Sequence, residues 1–335
     1  MTPPPDLRTL PKAELHLHIE GTLEPELAFT LAQRNAVLLP YQGVEDLRAQ
    51  YDFADLASFL HLYYACMTVL RTEDDFADLA LAYLERAHRD GVHHVEMSFD
   101  PQVHAANGVS VHTVIDGLLS ALQIALKKWG ITGGLLMCVV RDLPVPSALA
   151  LLDTVAPRAH DLLGIGLDSA EMGYPPSLFE EVFDRAAQLG LRLVAHAGEE
   201  GPPAYVWEAI SRLHVDRIDH GIRAAEDPAL VAHLVTHRIP LTICPLSNVR
   251  LRAVSDLGSH PLRNLFDAGV LVTINSDDPA YFGGYVNANY EAMRDAGFTS
   301  GELATMAANS IEASFADAGR KRELHDAIDG WDSGV

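Results

Sequence analysis

His16 and His18 stand two residues apart in KAELHLHIE. In an extended chain, side chains two positions apart leave the same face, so both imidazoles can grip one ion. A third histidine, His196, sits in VAHAGEE, and Asp277 sits in TINSDDP. Three imidazoles and one carboxylate make a borderline-hard set that suits zinc better than iron or manganese and leaves room for a water. Such an ion can lower the pKa of its water from about 15.7 toward about 7, supplying hydroxide at neutral pH. Glu199 follows three residues after His196. There its carboxyl can face an ion without binding it and carry a proton instead. His220, in RIDHG, is placed to orient or deprotonate the water, and Asp278 is left to hold a substrate.

Each residue alone also has an ordinary explanation. Glu199 or Glu200 could be a solvated loop acid, His220 a strand-end histidine bonded to backbone, and an HxH pair is a weak signal. The weight lies in their joint placement at strand ends. The other histidines, among them His61, His93, His94, His104 and His260, are read as surface or structural, and Cys244 and the methionines as core. There is no HxE paired with PCxxC, no HExxH, and no glycine-rich phosphate loop opening a helix.

Positioning these residues requires a scaffold, and the chain alternates short β-branched or apolar runs with stretches of helical period. The strand candidates are Ala13–Ile19, Val92–Phe99, Thr132–Val140, Leu163–Leu167, Arg192–Ala197, Arg217–Asp219, Ile239–Cys244 and Val270–Asn275. Eight such strands close a single (β/α)8 barrel, whose active sites gather at the carboxyl ends of the strands. His16, His18, His196 and Asp277 all fall there. Helix signals agree: Thr72 opens a helix that Gly91 closes, Asp227 precedes Pro228, and Thr299 pairs with Glu302. Ser177 and Glu180 form another expected cap, with Leu178, Val182, Ala186 and Leu189 along one apolar face and Gly190 at the end. The roughly 70 residues between the first two strand candidates exceed one crossover and predict a helical insertion, of the kind barrels use as a lid.

Composition bounds the rest. The 335 residues, 48% of them hydrophobic, support one large domain over 1–335. A formal charge of −22 disfavours nucleic acid and anionic membrane surfaces as partners. Three cysteines with no CxxC pair fit a reducing cytoplasm. The start, MTPPPDLRTL, lacks an apolar run behind a basic segment, so a cytoplasmic location is expected, with the prolines at 3 to 5 as an extended arm.

Taken together, LPKAELHLHIEGTL, VAHAGEEGPP, RIDHG and INSDDPAYFGGY closely resemble the adenosine and adenine deaminase family, over about residues 10 to 315. The resemblance implies a (β/α)8 barrel with one zinc on His16, His18, His196 and Asp277. It also implies Glu199 as proton donor, His220 acting on the attacking water, and Asp278 bonded to a purine ring. The segments GIGLDSAEMGYPP, CPLSNVRL and NSDDPAYFGGY look more like the adenine branch than the nucleoside branch. The expected reaction is therefore adenine to hypoxanthine and ammonia, in purine salvage, with adenosine or N6-substituted adenines as alternative substrates. A binding protein without turnover is the rival from another class. Nucleoside enzymes usually carry glycine where this chain has Glu171, so Glu171 is expected to accept a hydrogen bond from the N–H of a free base, which ribose replaces.

Overall fold

The computed structural model describes residues 5–332. Its strands are β1 (Lys12–His18), β2 (Val92–Phe99), β3 (Thr132–Val140), β4 (Gly164–Asp168), β5 (Arg192–Ala197), β6 (Arg217–His220), β7 (Leu241–Ile243) and β8 (Val272–Ile274). They lie in sequence order in one sheet, and every neighbouring pair from β1 to β8 is parallel. The seam closes at the mouth, where the His18 amide donates to the Asp277 carbonyl at 3.0 Å and the Asp277 amide to the His16 carbonyl at 3.1 Å. This is the expected (β/α)8 barrel. The last two strands are shorter than their apolar runs, because Pro240 has no N–H for the ladder and the chain turns out at Cys244 and Asn275 to form the mouth.

Barrel interiors are packed by side chains, and here part of the filling is charged. Arg217 and Glu96 are both fully buried and meet at 2.6 Å, so each ion has the partner that burial demands.

The helices start largely where their caps predict. Thr72 and Asp75 form a reciprocal capping box for Glu73–Arg89, and Thr299 and Glu302 do the same for Ser300–Ala313. The Asp227 side chain accepts from the amides of Ala229 and Leu230. Gly91 and Gly190 take positive φ just past their helices. Ser177 departs from expectation. It lies within a short 3-10 turn, Pro176–Phe179, and the α-helix begins only at Glu180. Leu178, in the 3-10 turn, is 50% exposed and Leu189, at the helix C-cap, is 37% exposed, while Val182 and Ala186 within the helix stay buried. Met172 is also exposed rather than core.

The insertion after β1 carries helices Pro25–Arg34, Val44–Arg48 and Leu56–Met67 ahead of Glu73–Arg89. Leu56–Met67 is seated by an aromatic cluster, with Phe59 4.6 Å from Phe282 and 5.5 Å from Tyr281 between ring centroids. No helix among the described residues is long and apolar enough to cross a membrane. The prolines at 3 and 4 lie outside the described residues.

Candidate metal and acid–base site

β1 delivers His16 and His18 to the barrel interior, β5 delivers His196, and Asp277 follows β8. His196 Nε2 stands 3.1 Å from His16 Nε2 and 3.2 Å from His18 Nε2. Asp277 Oδ1 lies 3.3 Å and 3.5 Å from the same two nitrogens of His16 and His18. All four residues are buried.

The outer nitrogens explain why the inner ones converge. His16 Nδ1 faces the Thr242 carbonyl at 3.1 Å, His18 Nδ1 faces Asp168 at 3.6 Å, and His196 Nδ1 faces Asp219 at 3.5 Å. An imidazole that keeps its proton toward an outer acceptor turns a lone pair inward. Lone pairs this close repel one another unless a cation lies between them. Tetrahedral ligands about 2.0–2.1 Å from zinc stand about 3.3 Å apart, close to the spacing found. The donor set therefore fits a divalent metal ion, and its charge distribution is already strongly perturbed. Burial opposes a charge on His16, but the carboxylates of Asp219 and Asp277 outweigh it and raise its pKa to about 9, the value for a proton standing where the cation would.

Glu199 and His220 flank the cluster, His220 Nε2 lying 3.5 Å from Glu199 Oε2 and 3.8 Å from Asp277 Oδ2. Burial, the Asp277 carboxylate and then Glu171 push Glu199 well above the ordinary carboxylic acid range, a shift that favours its protonated form. Burial, then the charge on His16, holds His220 well below the usual imidazole range. Asp278 is raised likewise by burial and by the Asp277 carboxylate beside it. Gly21 makes room for it, since a Cβ there would run into the Asp278 carboxylate.

Three residues of the mouth, Ser169, His220 and Asp277, have positive φ at 72°, 59° and 66° without being glycine. That conformation is costly for a residue with a Cβ and is found where the surroundings enforce it, often at functional sites. Here it lies at or just past strand ends. The residues surround a cavity whose floor includes His18, His196, Glu199, His220, Asp277 and Asp278. Its apolar cover is Leu56, Phe59, Leu60 and Tyr63 from the insertion, with Leu251. Tyr64 Oη and Ser169 Oγ, 2.9 Å apart, tie the cover to the loop after β4.

Glu171 does not behave as expected. It is 2% exposed and does not line the cavity. Its carboxylate accepts the backbone amides of Gly198 at 2.6 Å, Glu199 at 3.1 Å, Glu200 at 2.8 Å and Gly201 at 2.8 Å. With its lone pairs so engaged, it holds the turn that carries Glu199 rather than a substrate N–H. A Cβ on Gly201 would come within 2.5 Å of Glu171 Oε1, which accounts for glycine there.

Other residues of the site escaped the sequence reading. Asp100 and Asp168 line the cavity just past β2 and at the end of β4, and the strand-end rule that found Asp277 could have flagged both. Cys244 is buried as expected, but its Sγ lies 3.4 Å from His16 Nδ1, against the site. His94 and His104 are buried in structural pairs with Glu96 and Glu20, as read. His260, grouped with them, is buried and joined to the site through Asn248.

Comparison with known proteins agrees with this geometry. The family model for adenosine deaminase matches residues 11–331. An adenine deaminase of Streptomyces coelicolor is 59% identical over 310 residues, covering 92% of this chain and 91% of that protein. The crystal structure of adenine deaminase from Arthrobacter aurescens superposes with a TM-score of 0.95 at 53% identity, covering 97% of this chain and 99% of that one. An amidohydrolase from Burkholderia ambifaria, solved with bound Zn, superposes with a TM-score of 0.89 at 29% identity, covering 96% of this chain and 90% of that one. The strand-end histidines, the flanking Glu199 and His220 and a match spanning nearly the whole chain lead to one assignment: this protein belongs to the adenosine deaminase family.

Proposed function

We propose that the chain hydrolyses adenine to hypoxanthine and ammonia, in purine salvage, with His16, His18, His196 and Asp277 holding one zinc ion. The observation that carries the reading is the convergence of this donor set with Glu199, His220 and Asp278 at one cavity, in a chain 59% identical to an adenine deaminase. Nitrogen-rich ligation with one carboxylate favours zinc over harder ions, and the amidohydrolase with bound Zn supports the same choice. When bound, the ion would supply a nucleophile at neutral pH by acidifying water.

The protein side chains do the rest. Glu199, protonated, gives its proton to the ring nitrogen beside the amino-bearing carbon as water oxygen adds to that carbon. The resulting carboxylate takes one proton from the added oxygen and passes it to the departing amine, then takes the second, which leaves the oxygen as a carbonyl and restores the protonated Glu199. His220 acts on the water from the other side. Asp278, kept neutral by burial, can donate a hydrogen bond to a purine nitrogen, which an ionised aspartate cannot. The apolar cover packs on the ring and excludes bulk water.

Parallel absorbance assays with adenine, adenosine and N6-methyladenine test this, using zinc-loaded protein and a Glu199→Gln control. Fast adenine loss with little adenosine loss, abolished in the control, is the expected result. Preferential adenosine loss would move the substrate to the nucleoside, and preferential loss of the methylated base to N6-substituted adenines.

A further inference from the structure

Asn248 lies on the helix Pro245–Arg250 that follows β7, fully buried between the two acid–base groups. Its Nδ2 stands 3.2 Å from Glu199 Oε1 and 3.2 Å from His220 Nδ1, so one amide nitrogen reaches both. Its Oδ1 stands 3.2 Å from His260 Nε2. On the far side of His260, the backbone N–H of Leu262 donates to Nδ1 at 3.0 Å.

The direction of every bond in this chain follows from the one donor that cannot reverse. A backbone N–H only donates, so His260 Nδ1 accepts, and a neutral imidazole then carries its proton on Nε2. Burial holds His260 down to about 4, which keeps it neutral at pH 7. Its Nε2–H donates to Asn248 and fixes the amide with oxygen toward His260 and nitrogen toward Glu199 and His220. His220 Nδ1 therefore accepts. Neutral His220 must carry its proton on Nε2, the nitrogen that faces Glu199 and Asp277.

We propose that Asn248, oriented by His260, is a positioning residue that locks His220 in its Nε2–H tautomer and anchors Glu199 through Oε1. In that tautomer neutral His220 presents a donor, not a base, to the attacking water. It orients the water, and Glu199 is left to move the protons. Only this kinetic consequence rests on the deaminase reading; the tautomer does not.

The test uses the full chain, zinc-loaded and labelled with 15N-histidine, as wild type, Asn248→Ala, His260→Leu and His260→Gln. Glutamine can accept from the Leu262 amide and donate to Asn248, preserving the direction of the chain, whereas leucine breaks it. The expected wild-type spectrum shows His220 protonated on Nε2. The Asn248→Ala and His260→Leu proteins should lose that single-tautomer signature. Their kcat on adenine should fall about 10- to 100-fold, the usual range for outer-shell partners, with KM and zinc content close to wild type. The His260→Gln protein should recover both. His220 protonated on Nδ1 in the wild type would overturn the proposal, as would equal kcat in the leucine and glutamine variants. A wild type with the Nε2–H signature but no adenine turnover would support the tautomer lock and count against the deaminase reading instead.

Discussion

At the mouth of the barrel, His16, His18, His196 and His220 lie on strands hydrogen-bonded to neighbours on either side, whereas the cover is a helix of an insertion attached by aromatic packing and the Tyr64–Ser169 bond. The floor inherits its geometry from the ladder, in which a shift of one residue would turn every ligand away from the centre. The cover is held over that floor by side-chain contacts. The candidate ligands are thus carried by the hydrogen-bonded element and the cover by the inserted one, an arrangement that suits a precise site.

Substitutions on the two sides should accordingly fail in different ways. The largest effect is expected on the floor. Asp277→Ala should lose both bound zinc and turnover, read by metal analysis and absorbance assay; full zinc content in that variant would remove Asp277 from the ligand set. Glu199→Gln should keep zinc but lower kcat by about 10²- to 10⁴-fold, the range for a general acid–base group.

Glu171→Gly tests the support beneath the floor. It strips one partner from four backbone amides, and each buried polar group left unpaired costs about 1–3 kcal/mol. The total should approach about 3 kcal/mol once water relieves part of it, seen as a lower denaturation midpoint. Adenine and adenosine turnover should drop together. Loss confined to adenine would restore the substrate-contact role the sequence predicts.

The pH dependence follows from the raised pKa of Glu199, whose first cause is burial. The donor form exists below the folded pKa and is lost above it, so kcat should fall on the alkaline side by about tenfold per pH unit. The alkaline limb should be absent from the residual activity of Glu199→Gln; its persistence there would assign the limb to another group.

The smallest effect is expected at the cover. Tyr64→Phe removes one hydrogen bond to Ser169, worth about 1 kcal/mol. KM for adenine should rise about fivefold with kcat nearly constant. An equal loss in kcat would mean that the cover also orients the reacting groups.

How much of this was legible in the chain differs between the same two regions. The cluster of candidate ligands could be read because HxH on a strand has a period of two and strand ends meet at one mouth. Asn248 and His260 could not, since nothing in their spacing shows that a helix after β7 will wedge an amide between Glu199 and His220. The sequence pattern places Leu178 and Leu189 on the apolar face, but Leu178 falls in a 3-10 turn before the helix and Leu189 at its C-cap, so the face extends only over the helix between them.

By itself the sequence determined the barrel, its insertion, and the residue types that could bind a metal and move protons, because these depend on local periodicity and on donor chemistry. Tertiary structure alone decided the work of Glu171. A carboxylate bonds to whichever donors reach it, and folding brought four backbone amides to Glu171.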